Sequence, residues 1–458
     1  MRLSAARLAA YQIESAVSGG RSDLPSAIAI TRPWVPDERD RALASEIAIG
    51  VQRWRRALDY RIVAVCARPL DKLDAEILAI LRISAYQLLY LSRVPASAVV
   101  DDAVRLARRA RKSSAAGLVN GVLRAISRRR NQLGLPPRPV RPDDRAAALQ
   151  YLGITLSHPD WLAARWYDRM GFTRTEQWMQ FNNRRAQLAL RVNRLKASPA
   201  EMEEALTACG VRLGRGRYAP DAFLVESGHP LRDAGSAEGS FVVQDEASQL
   251  VTLLAGEDPG VRLLDACASP GGKATAFAQA LARRGGMVVA CDVRDQRMAL
   301  LRRAVRSTHA WNVRLVQADV SRSLPFASVF SCVVVDAPCS GLGTLRRDPD
   351  IRWSRQERQL AVLAARQGLM LRCAAAAVAP GGRLVYATCS SEPEENEHVV
   401  LGFLREVSGF RPVDARTVHP ALPPAVIDAR GNLRTEPDRH GLEAFFGAVL
   451  ERTEGTGT

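Results

Sequence analysis

The second half of the chain alternates short apolar runs with longer amphipathic segments. Each apolar run ends at, or is soon followed by, an aspartate or a cysteine, and the runs occupy 263–265, 287–290, 313–318, 333–335 and 383–387. The segments 274–281, 296–306 and 356–378 have the pattern of helices. Strands that alternate with helices predict a parallel sheet, and ligands bind such a sheet outside the carboxyl ends of its strands. We therefore expect the five polar ends to line one crevice.

The first half of the chain has a different pattern. From about residue 3 to residue 130 it predicts amphipathic helices, as at 42–57, 74–91 and 99–109, and a strand alternative has no hairpin turns to support it. Residues 133–144 are rich in proline and arginine and predict a linker. Residues 145–235 mix strand and helix signals, with a strand at 188–193 and a helix at 200–209.

These patterns predict a multidomain chain. An all-α domain occupies 1–132, the linker 133–144, a small α+β element 145–235, and an α/β Rossmann-like domain 236–458. The length is sufficient for two or three domains that each have a core.

A glycine turn follows the first strand of the α/β domain. The segment 263–273 is a strand, a glycine turn and the start of a helix, which is how such folds bring backbone close to a nucleotide-like ligand. It lacks the G-x-G-x-x-G and P-loop spacings, so dinucleotide and ATP binding are disfavoured. Asp292 lies twenty residues after Gly272, where the acidic residue of the second strand binds ribose hydroxyls. A single aspartate is more often a helix cap, but four acidic strand ends and two cysteines in register favour a ligand site.

Two segments, Asp336-Ala337-Pro338-Cys339-Ser340-Gly341 and Tyr386-Ala387-Thr388-Cys389-Ser390, each place a cysteine just beyond a predicted strand. A lone cysteine there is usually a small buried hydrophobe. Two cysteines at such positions fit one reaction, the methylation of cytosine, because carbon 5 of this base is a weak nucleophile until a thiolate adds at carbon 6. A second thiol can then accept the carbon 5 proton. The pair indicates covalent chemistry on a pyrimidine ring.

These motifs resemble those of the S-adenosylmethionine-dependent RNA cytosine-5 methyltransferases. The order of domains is similar to the bacterial Sun (Fmu) type, which modifies 16S ribosomal RNA of the small subunit. The resemblance implies a class I methyltransferase domain whose glycine turn holds the methionine part of S-adenosylmethionine, and whose strand-end aspartates hold the ribose and adenine. No metal is implied. The implied cofactor-binding residues are Cys267, Ala268, Ser269, Pro270, Gly271, Gly272, Lys273, Asp292, Asp319 and Asp336.

The resemblance also assigns catalytic roles. Cys389 is the implied nucleophile and Cys339 assists product release, while Asp336 and Lys273 bind the polar edge of the target base. In DNA cytosine-5 methyltransferases the cysteine of the Pro-Cys segment attacks, so Cys339 is the rival nucleophile. Enzymes that methylate exocyclic amines usually carry Asn-Pro-Pro-Tyr or Asp-Pro-Pro-Tyr, where this chain has Asp-Ala-Pro-Cys.

Segments outside the catalytic motifs extend the resemblance. Residues 239–248 resemble the family's entry into the catalytic domain, and 435–441 followed by Phe445 and Phe446 resemble its closing hairpin, with a departure at 442–444. Residues 85–89 and 118–124 resemble the NusB-like RNA-binding domain. Two alternatives stay open: a transfer RNA cytosine-5 methyltransferase, and a non-catalytic RNA-binding or antitermination factor.

The amino-acid composition favours a polyanionic partner. The formal net charge is +16, which suits RNA, although sixty of the 64 basic residues are arginine and this bias weakens charge as evidence. The basic cluster at 105–112 and 128–130 could hold phosphates, and it is equally typical of a solvated helix face. Eight cysteines lack the spacing of disulfide frameworks or zinc sites. With no signal peptide or membrane-spanning apolar run, we expect a cytoplasmic enzyme. We expect a monomer, because every amphipathic stretch has a place in one of the predicted domains.

Overall fold

The structure, a computed structural model, describes residues 3–232, 235–258 and 260–453. The other residues belong to the predicted domains 1–132, 145–235 and 236–458, and those parts of the predictions lie outside the described residues. By packing, the chain divides into two units. One contains the residues up to 185 together with 345–357, and the other contains 186–344 and the residues from 358 onward.

The first unit is helical, as the sequence predicts. Its core is formed by apolar side chains at helical spacing, among them the fully buried Ile47, Leu58, Ile80, Val99 and Leu123. The predicted helices at 42–57, 74–91 and 99–109 overlap the third, fourth and fifth helices. The helices before residue 185 are α1 (Ala5–Ser18), α2 (Leu24–Thr31), α3 (Glu38–Val63), α4 (Ala75–Tyr90), α5 (Ala96–Arg109), α6 (Ala116–Arg129), α7 (Arg145–Gln150) and α8 (Asp160–Asn183).

The second unit begins with a small antiparallel sheet covered by one helix. Its elements are β1 (Ala189–Val192), α9 (Pro199–Ala208), β2 (Arg212–Arg215), β3 (Ala222–Ser227) and β4 (Phe241–Val243). The strand order is β2-β3-β1-β4. Leu190 and Phe223 of the sheet are buried against Met202 and Leu206 of α9. This element confirms the predicted small α+β fold.

The second unit also contains a larger mixed sheet flanked by helices. In order across the sheet the strands are β7-β6-β5-β8-β9-β12-β10, and β11 pairs with β12. The first five are parallel, while β12 is antiparallel to β9. The elements are α10 (Glu246–Leu253), β5 (Arg262–Asp265), α11 (Gly272–Ala282), β6 (Met287–Asp292), α12 (Asp295–Ser307), β7 (Val313–Gln317), β8 (Phe330–Asp336), α14 (Gln359–Ala375), β9 (Val378–Thr388), α15 (Glu397–Glu406), β10 (Phe410–Val413), β11 (Leu433–Thr435), α16 (Pro437–His440) and β12 (Phe445–Arg452), and the short α13 (Ile351–Ser354) packs in the first unit.

Two hydrophobic layers cover the large sheet. Leu263 and Val334 face the layer that includes α10, α11 and α12, while Leu264 and Val333 face the layer that includes α14 and α15. Neighbouring residues of a strand point to opposite faces, and both faces are buried, so these strands read as continuous apolar runs. This arrangement confirms the predicted Rossmann-like domain. The strand order reverses at β5, so the fold predicts a ligand at the carboxyl ends of β5 and β8.

One predicted helix boundary is wrong. The sequence pattern predicts a helix over 356–378, whereas α14 ends at Ala375 and Val378 is the first residue of β9. Val378 pairs with Phe330 of β8, and Pro380 two residues later is poorly suited to a helix interior. The alanine-rich composition extends the helical pattern past the point where strand pairing takes over.

The segment 345–357 leaves the second unit and packs into the first. Its Arg352 side chain is fully buried. The guanidinium donates to the Ser157 carbonyl and to Asn183 Oδ1, both at 2.9 Å, and makes longer bonds to three further backbone carbonyls. Burial, followed by the charge of Arg53, lowers the Arg352 pKa to about 9.

No helix within the described residues is long and apolar enough to span a bilayer.

Candidate active site

The two predicted catalytic cysteines lie side by side. Cys339 comes three residues after the end of β8, and Cys389 follows β9 directly. Because β8 and β9 are parallel neighbours, with Asp336 opposite Ala387, their carboxyl ends meet at one edge of the sheet. The two Sγ atoms are 3.3 Å apart and part-buried. The structure therefore brings together two thiols that are fifty residues apart in the chain.

The environment of the thiols distinguishes them. The hydrogen bond with Cys389 and then burial raise the pKa of Cys339 well above its usual value, and the negative charges of Cys389 and Glu395 add to this shift. These interactions disfavour a thiolate at Cys339. The interaction between Cys389 and the Lys273 ammonium is attractive, which favours Cys389 as the thiolate.

Lys273 and Asp336 form an ion pair beside the cysteines. Lys273 is the second residue of α11, and its Nζ donates to Asp336 Oδ2 at 2.7 Å. Burial alone opposes the lysine charge, but the Asp336 carboxylate and its hydrogen bond outweigh it and raise the Lys273 pKa. The same ammonium lies 5.7 Å from the centre of the Phe445 ring. Lys273 is thus held as a cation at the strand ends.

The predicted glycine turn joins β5 to α11. Gly271 has φ of +114°, and a Cβ on this residue would lie 2.6 Å from Ala304 Cβ, so a larger residue is excluded by both conformation and space. Arg191 of β1 supports the turn by donating to the Gly272 carbonyl at 3.1 Å and to Thr275 Oγ1 at 2.9 Å. The Ser269 hydroxyl donates to the Arg297 carbonyl of α12. The turn is therefore fixed by contacts from two other elements.

The two predicted ribose and adenine aspartates differ in their surroundings. Asp292 ends β6, accepts a hydrogen bond from the Val293 amide at 2.8 Å and lies 3.6 Å from the Arg297 guanidinium. Asp319 lies two residues beyond β7 and accepts from the hydroxyl and amide of Ser321, which lower its pKa. Asp319 therefore caps its own turn while one of its carboxylate oxygens also lies 3.7 Å from Arg322.

Asp265, the last residue of β5, is a site residue that sequence reasoning did not assign a role. Its side chain is buried, and among the described residues neither carboxylate oxygen has a well-formed hydrogen bond, although the Cys267 backbone amide is close enough to lower the Asp265 pKa in part. Burial, and then the negative charge of Asp336, raises the Asp265 pKa to about 7. A buried acceptor without a partner is costly, and a cationic ligand would relieve it. S-Adenosylmethionine carries a sulfonium and an ammonium group, so this carboxylate fits the implied cofactor.

Glu395 is a second residue that the motifs did not reveal. It is fully buried and its carboxylate accepts hydrogen bonds from Ser340, Ser390 and Gln367. The sequence signal is an acidic segment, 392–397, that contains four glutamates. That segment does not indicate which glutamate is buried. Within the described residues, no group of three or more His, Cys, Asp or Glu side chains is placed to hold a metal ion, and the absence of a metal stays a prediction.

Comparisons with known proteins agree with this fold. Residues 251–451 match the family model described as 16S rRNA methyltransferase RsmB/F, residues 4–128 match the NusB family, and residues 158–232 match the ferredoxin-like domain of RsmF/B-like methyltransferases. Among curated proteins, the ribosomal RNA small subunit methyltransferase B of Pseudomonas putida is 34% identical over 90% of this chain and 91% of its own length. The probable enzyme of the same name from Bacillus subtilis is 31% identical over 89% and 90%.

Solved structures give the same architecture. The protein PH0851 superimposes with a TM-score of 0.81 at 25% identity, over 99% of both chains. A methyltransferase homolog from Pyrococcus horikoshii gives 0.56 at 24% identity, over 67% of this chain and 99% of its own, and shows the fold alone. Fold, family models and relatives together define an S-adenosylmethionine-dependent RNA methyltransferase. The chain belongs to the 16S rRNA methyltransferase RsmB/F family, which confirms the resemblance inferred from its motifs.

Proposed function

We propose that this enzyme methylates carbon 5 of a cytosine in 16S ribosomal RNA through a covalent adduct with Cys389. The observation that carries the proposal is the 3.3 Å separation of the Cys339 and Cys389 sulfur atoms. A methyltransferase that acts on an amine or a hydroxyl does not need two adjacent thiols. Methylation of carbon 5 of cytosine needs two protein groups beside the ring, one that attacks carbon 6 and one that accepts the carbon 5 proton. The names of the curated relatives support the ribosomal substrate.

The cofactor fits the residues at the carboxyl edge of the sheet. The glycine turn from Cys267 to Lys273 would hold its methionine part, and Asp292 and Asp319 its ribose and adenine. Asp265 and Asp336 supply carboxylates for its positive charges, and Asp265 has no well-formed hydrogen bond within the described chain. When bound, S-adenosylmethionine supplies an electrophilic methyl group on its sulfonium.

The first chemical step is addition of the Cys389 thiolate to carbon 6 of the base. The base must leave its stack, because its faces are otherwise covered. Lys273 stabilises the thiolate beforehand, and Lys273 with Asp336 hydrogen-bonds the polar edge of the ring as negative charge develops there. Carbon 5 then carries enough electron density to take the methyl group.

Product release requires loss of the carbon 5 proton and cleavage of the bond between Cys389 and carbon 6. In the relay that we propose, Cys339 takes the carbon 5 proton while its own thiol proton passes to the departing Cys389 sulfur. The contact between the two sulfurs provides this path. Cys389 later loses one proton to solvent, so each turnover releases one proton and restores the thiolate.

The RNA is held in part by the arginine-rich ends of α5 and α6. Arg108, Arg109, Arg128 and Arg129 in the last turns of these helices are exposed. Side chains of this kind contact phosphates and carry little sequence information. The monomeric state and cytoplasmic location stay predictions.

The test is transfer of labelled methyl from S-adenosylmethionine to small-subunit ribosomal RNA, and separately to transfer RNA and DNA, followed by digestion to nucleosides. We expect 5-methylcytidine in ribosomal RNA alone. Label in transfer RNA alone would reject the substrate, and label in any nucleoside other than 5-methylcytidine would reject the chemistry.

A further inference from the structure

A buried carboxylate links the loops that carry the two cysteines. Glu395 lies in the short turn Pro393–Glu395 between β9 and α15, and its side chain has no exposed surface. Burial of a carboxylate is expensive unless several donors satisfy it. The groups that donate hydrogen bonds to Glu395 therefore indicate its role.

Each oxygen of Glu395 bonds to the cysteine loops. Oε1 accepts from the Ser340 amide at 2.8 Å, and Oε2 accepts from the Ser340 and Ser390 hydroxyls, both at 2.5 Å. The two hydroxyl oxygens are 3.2 Å from each other. Ser340 follows Cys339 and Ser390 follows Cys389 in the chain. One carboxylate thus joins the residues next to both thiols.

A glutamine completes the contact. Gln367 Nε2 of α14 donates to Glu395 Oε1 and to the Pro338 carbonyl, both at 3.0 Å. The hydroxyl of Tyr386 donates to the Glu395 carbonyl at 2.6 Å. The carboxylate is therefore fixed relative to the sheet as well as to the loops.

We propose that Glu395 is a positioning residue that sets the spacing and the order of ionisation of the Cys339 and Cys389 thiols. Its hydrogen bonds hold the Ser340 amide and the hydroxyls of Ser340 and Ser390 beside the two thiols. Its negative charge opposes a thiolate at Cys339, so that Cys389 is the sulfur that ionises. A displacement of about 1 Å in a reacting group can cost about 100-fold in rate. The catalytic consequence rests on the proposed cytosine-5 reaction, whereas the effect on thiol reactivity does not.

Two substitutions separate geometry from charge. Glu395→Gln preserves the contacts, because its amide oxygen can accept from the Ser340 amide and Gln367 while its amide nitrogen donates to the two hydroxyls, which are able to accept. Glu395→Ala removes both contacts and charge. Glu397→Gln is the matched control, since Glu397 lies two residues away and pairs with Arg434 instead.

The measurements are kcat, KM for S-adenosylmethionine, and the alkylation rates of Cys339 and Cys389 by iodoacetamide without RNA, resolved by peptide mass spectrometry. We expect Glu395→Ala to lower kcat about 100-fold with KM for the cofactor unchanged. Glu395→Gln should recover at least a tenth of the wild-type kcat, while Cys339 becomes more reactive relative to Cys389 as pH rises. The Glu397→Gln control should match the wild type in both assays.

Wild-type kcat in Glu395→Ala would reject the proposal. If that variant fails to fold, Glu395→Gln decides: an unchanged ratio of Cys339 to Cys389 alkylation contradicts the charge role, and a shifted ratio supports it. A wild-type enzyme that makes no 5-methylcytidine would overturn the proposed function, while a shifted alkylation ratio would still support the role of Glu395 in the thiol pair.

Discussion

The ammonium of Lys273 lies 2.7 Å from the carboxylate of Asp336 and connects the first turn of α11 with the end of β8. The two residues come from the glycine-turn motif and the Pro-Cys motif, which are 63 positions apart in the chain. Their ion pair places a cation beside Cys389 and leaves Asp336 partly accessible, with 26% of its side chain exposed. The charge of Lys273 therefore acts both on Asp336, at the proposed cofactor site, and on the Cys389 thiol.

Replacement of Lys273 by methionine should remove the cation that favours the Cys389 thiolate. We expect kcat to fall by about 100-fold and iodoacetamide to react more slowly with Cys389 near neutral pH. Lys196→Met is the control, because Lys196 is exposed and donates to the Glu238 backbone carbonyl in another part of the unit. Equal activity in the two variants would contradict the role of Lys273.

Cofactor affinity should depend on pH through Asp265. Burial raises its pKa to about 7, above the value of about 3.9 in an unfolded chain. The protonated form therefore stabilises the ligand-free fold below the lower value, and this stability is lost as pH rises through about 7. A cationic ligand needs the ionised form, so binding of S-adenosylmethionine should release about one proton near pH 6 and about none near pH 8.5.

Titration calorimetry in buffers of different ionisation enthalpy measures these protons. In Asp265→Asn the pH-dependent release should disappear. Undiminished release in this variant would show that another group titrates.

The thiol pair should be sensitive to oxidation. The sulfur atoms are 3.3 Å apart and need to approach by about 1.2 Å to reach the length of a disulfide bond. Peroxide should oxidise the Cys389 thiolate to a sulfenic acid, which the Cys339 thiol then converts to a disulfide with loss of water. Peptide mapping under non-reducing conditions should find this bond, and dithiothreitol should restore activity. A disulfide between other cysteines, or loss of activity that dithiothreitol leaves unchanged, would contradict the expectation.

Arg352 should be important for the stability of the first unit. Its guanidinium is buried among backbone carbonyls, including those of Ser157 and Asn182. Arg352→Met removes donors from several buried acceptors, and each unsatisfied acceptor costs about 1–3 kcal/mol. We expect the free energy of unfolding to fall by at least about 3 kcal/mol in urea denaturation. The exposed Arg39 of the same unit, changed to methionine, should alter it by less than about 0.5 kcal/mol; similar values for the two variants would contradict this account.

The sequence patterns predict the parallel sheet and the proximity of the two cysteines. Strand ends at Asp265, Asp292 and Asp336 follow apolar runs that only a doubly covered parallel sheet requires, and parallel neighbours necessarily bring their carboxyl ends together. Cys339 and Cys389 are close for that reason. The positions of the two motifs after neighbouring parallel strands are enough to predict that their cysteines lie close together.

Other features depend on tertiary packing that one sequence does not display. Glu395 is one of four glutamates in a short acidic segment, and only the fold buries it between Ser340 and Ser390. Likewise, nothing in the local pattern around Arg352 indicates that 345–357 packs with the helical unit. Local propensity also missed the start of β9, because pairing of Val378 with Phe330 overrides an alanine-rich pattern.

The most direct test of the proposed mechanism is to identify the covalent adduct formed by Cys339→Ala. This variant lacks the thiol that relays the carbon 5 proton, so it should remain bonded to methylated RNA in denaturing gels. Mass spectrometry of the nuclease- and protease-digested complex should find the nucleotide on the peptide that contains Cys389. An adduct absent from Cys339→Ala would contradict the release role of Cys339, and a Cys389→Ala enzyme with normal turnover, or a nucleotide attached to another peptide, would contradict the assignment of Cys389 as the nucleophile.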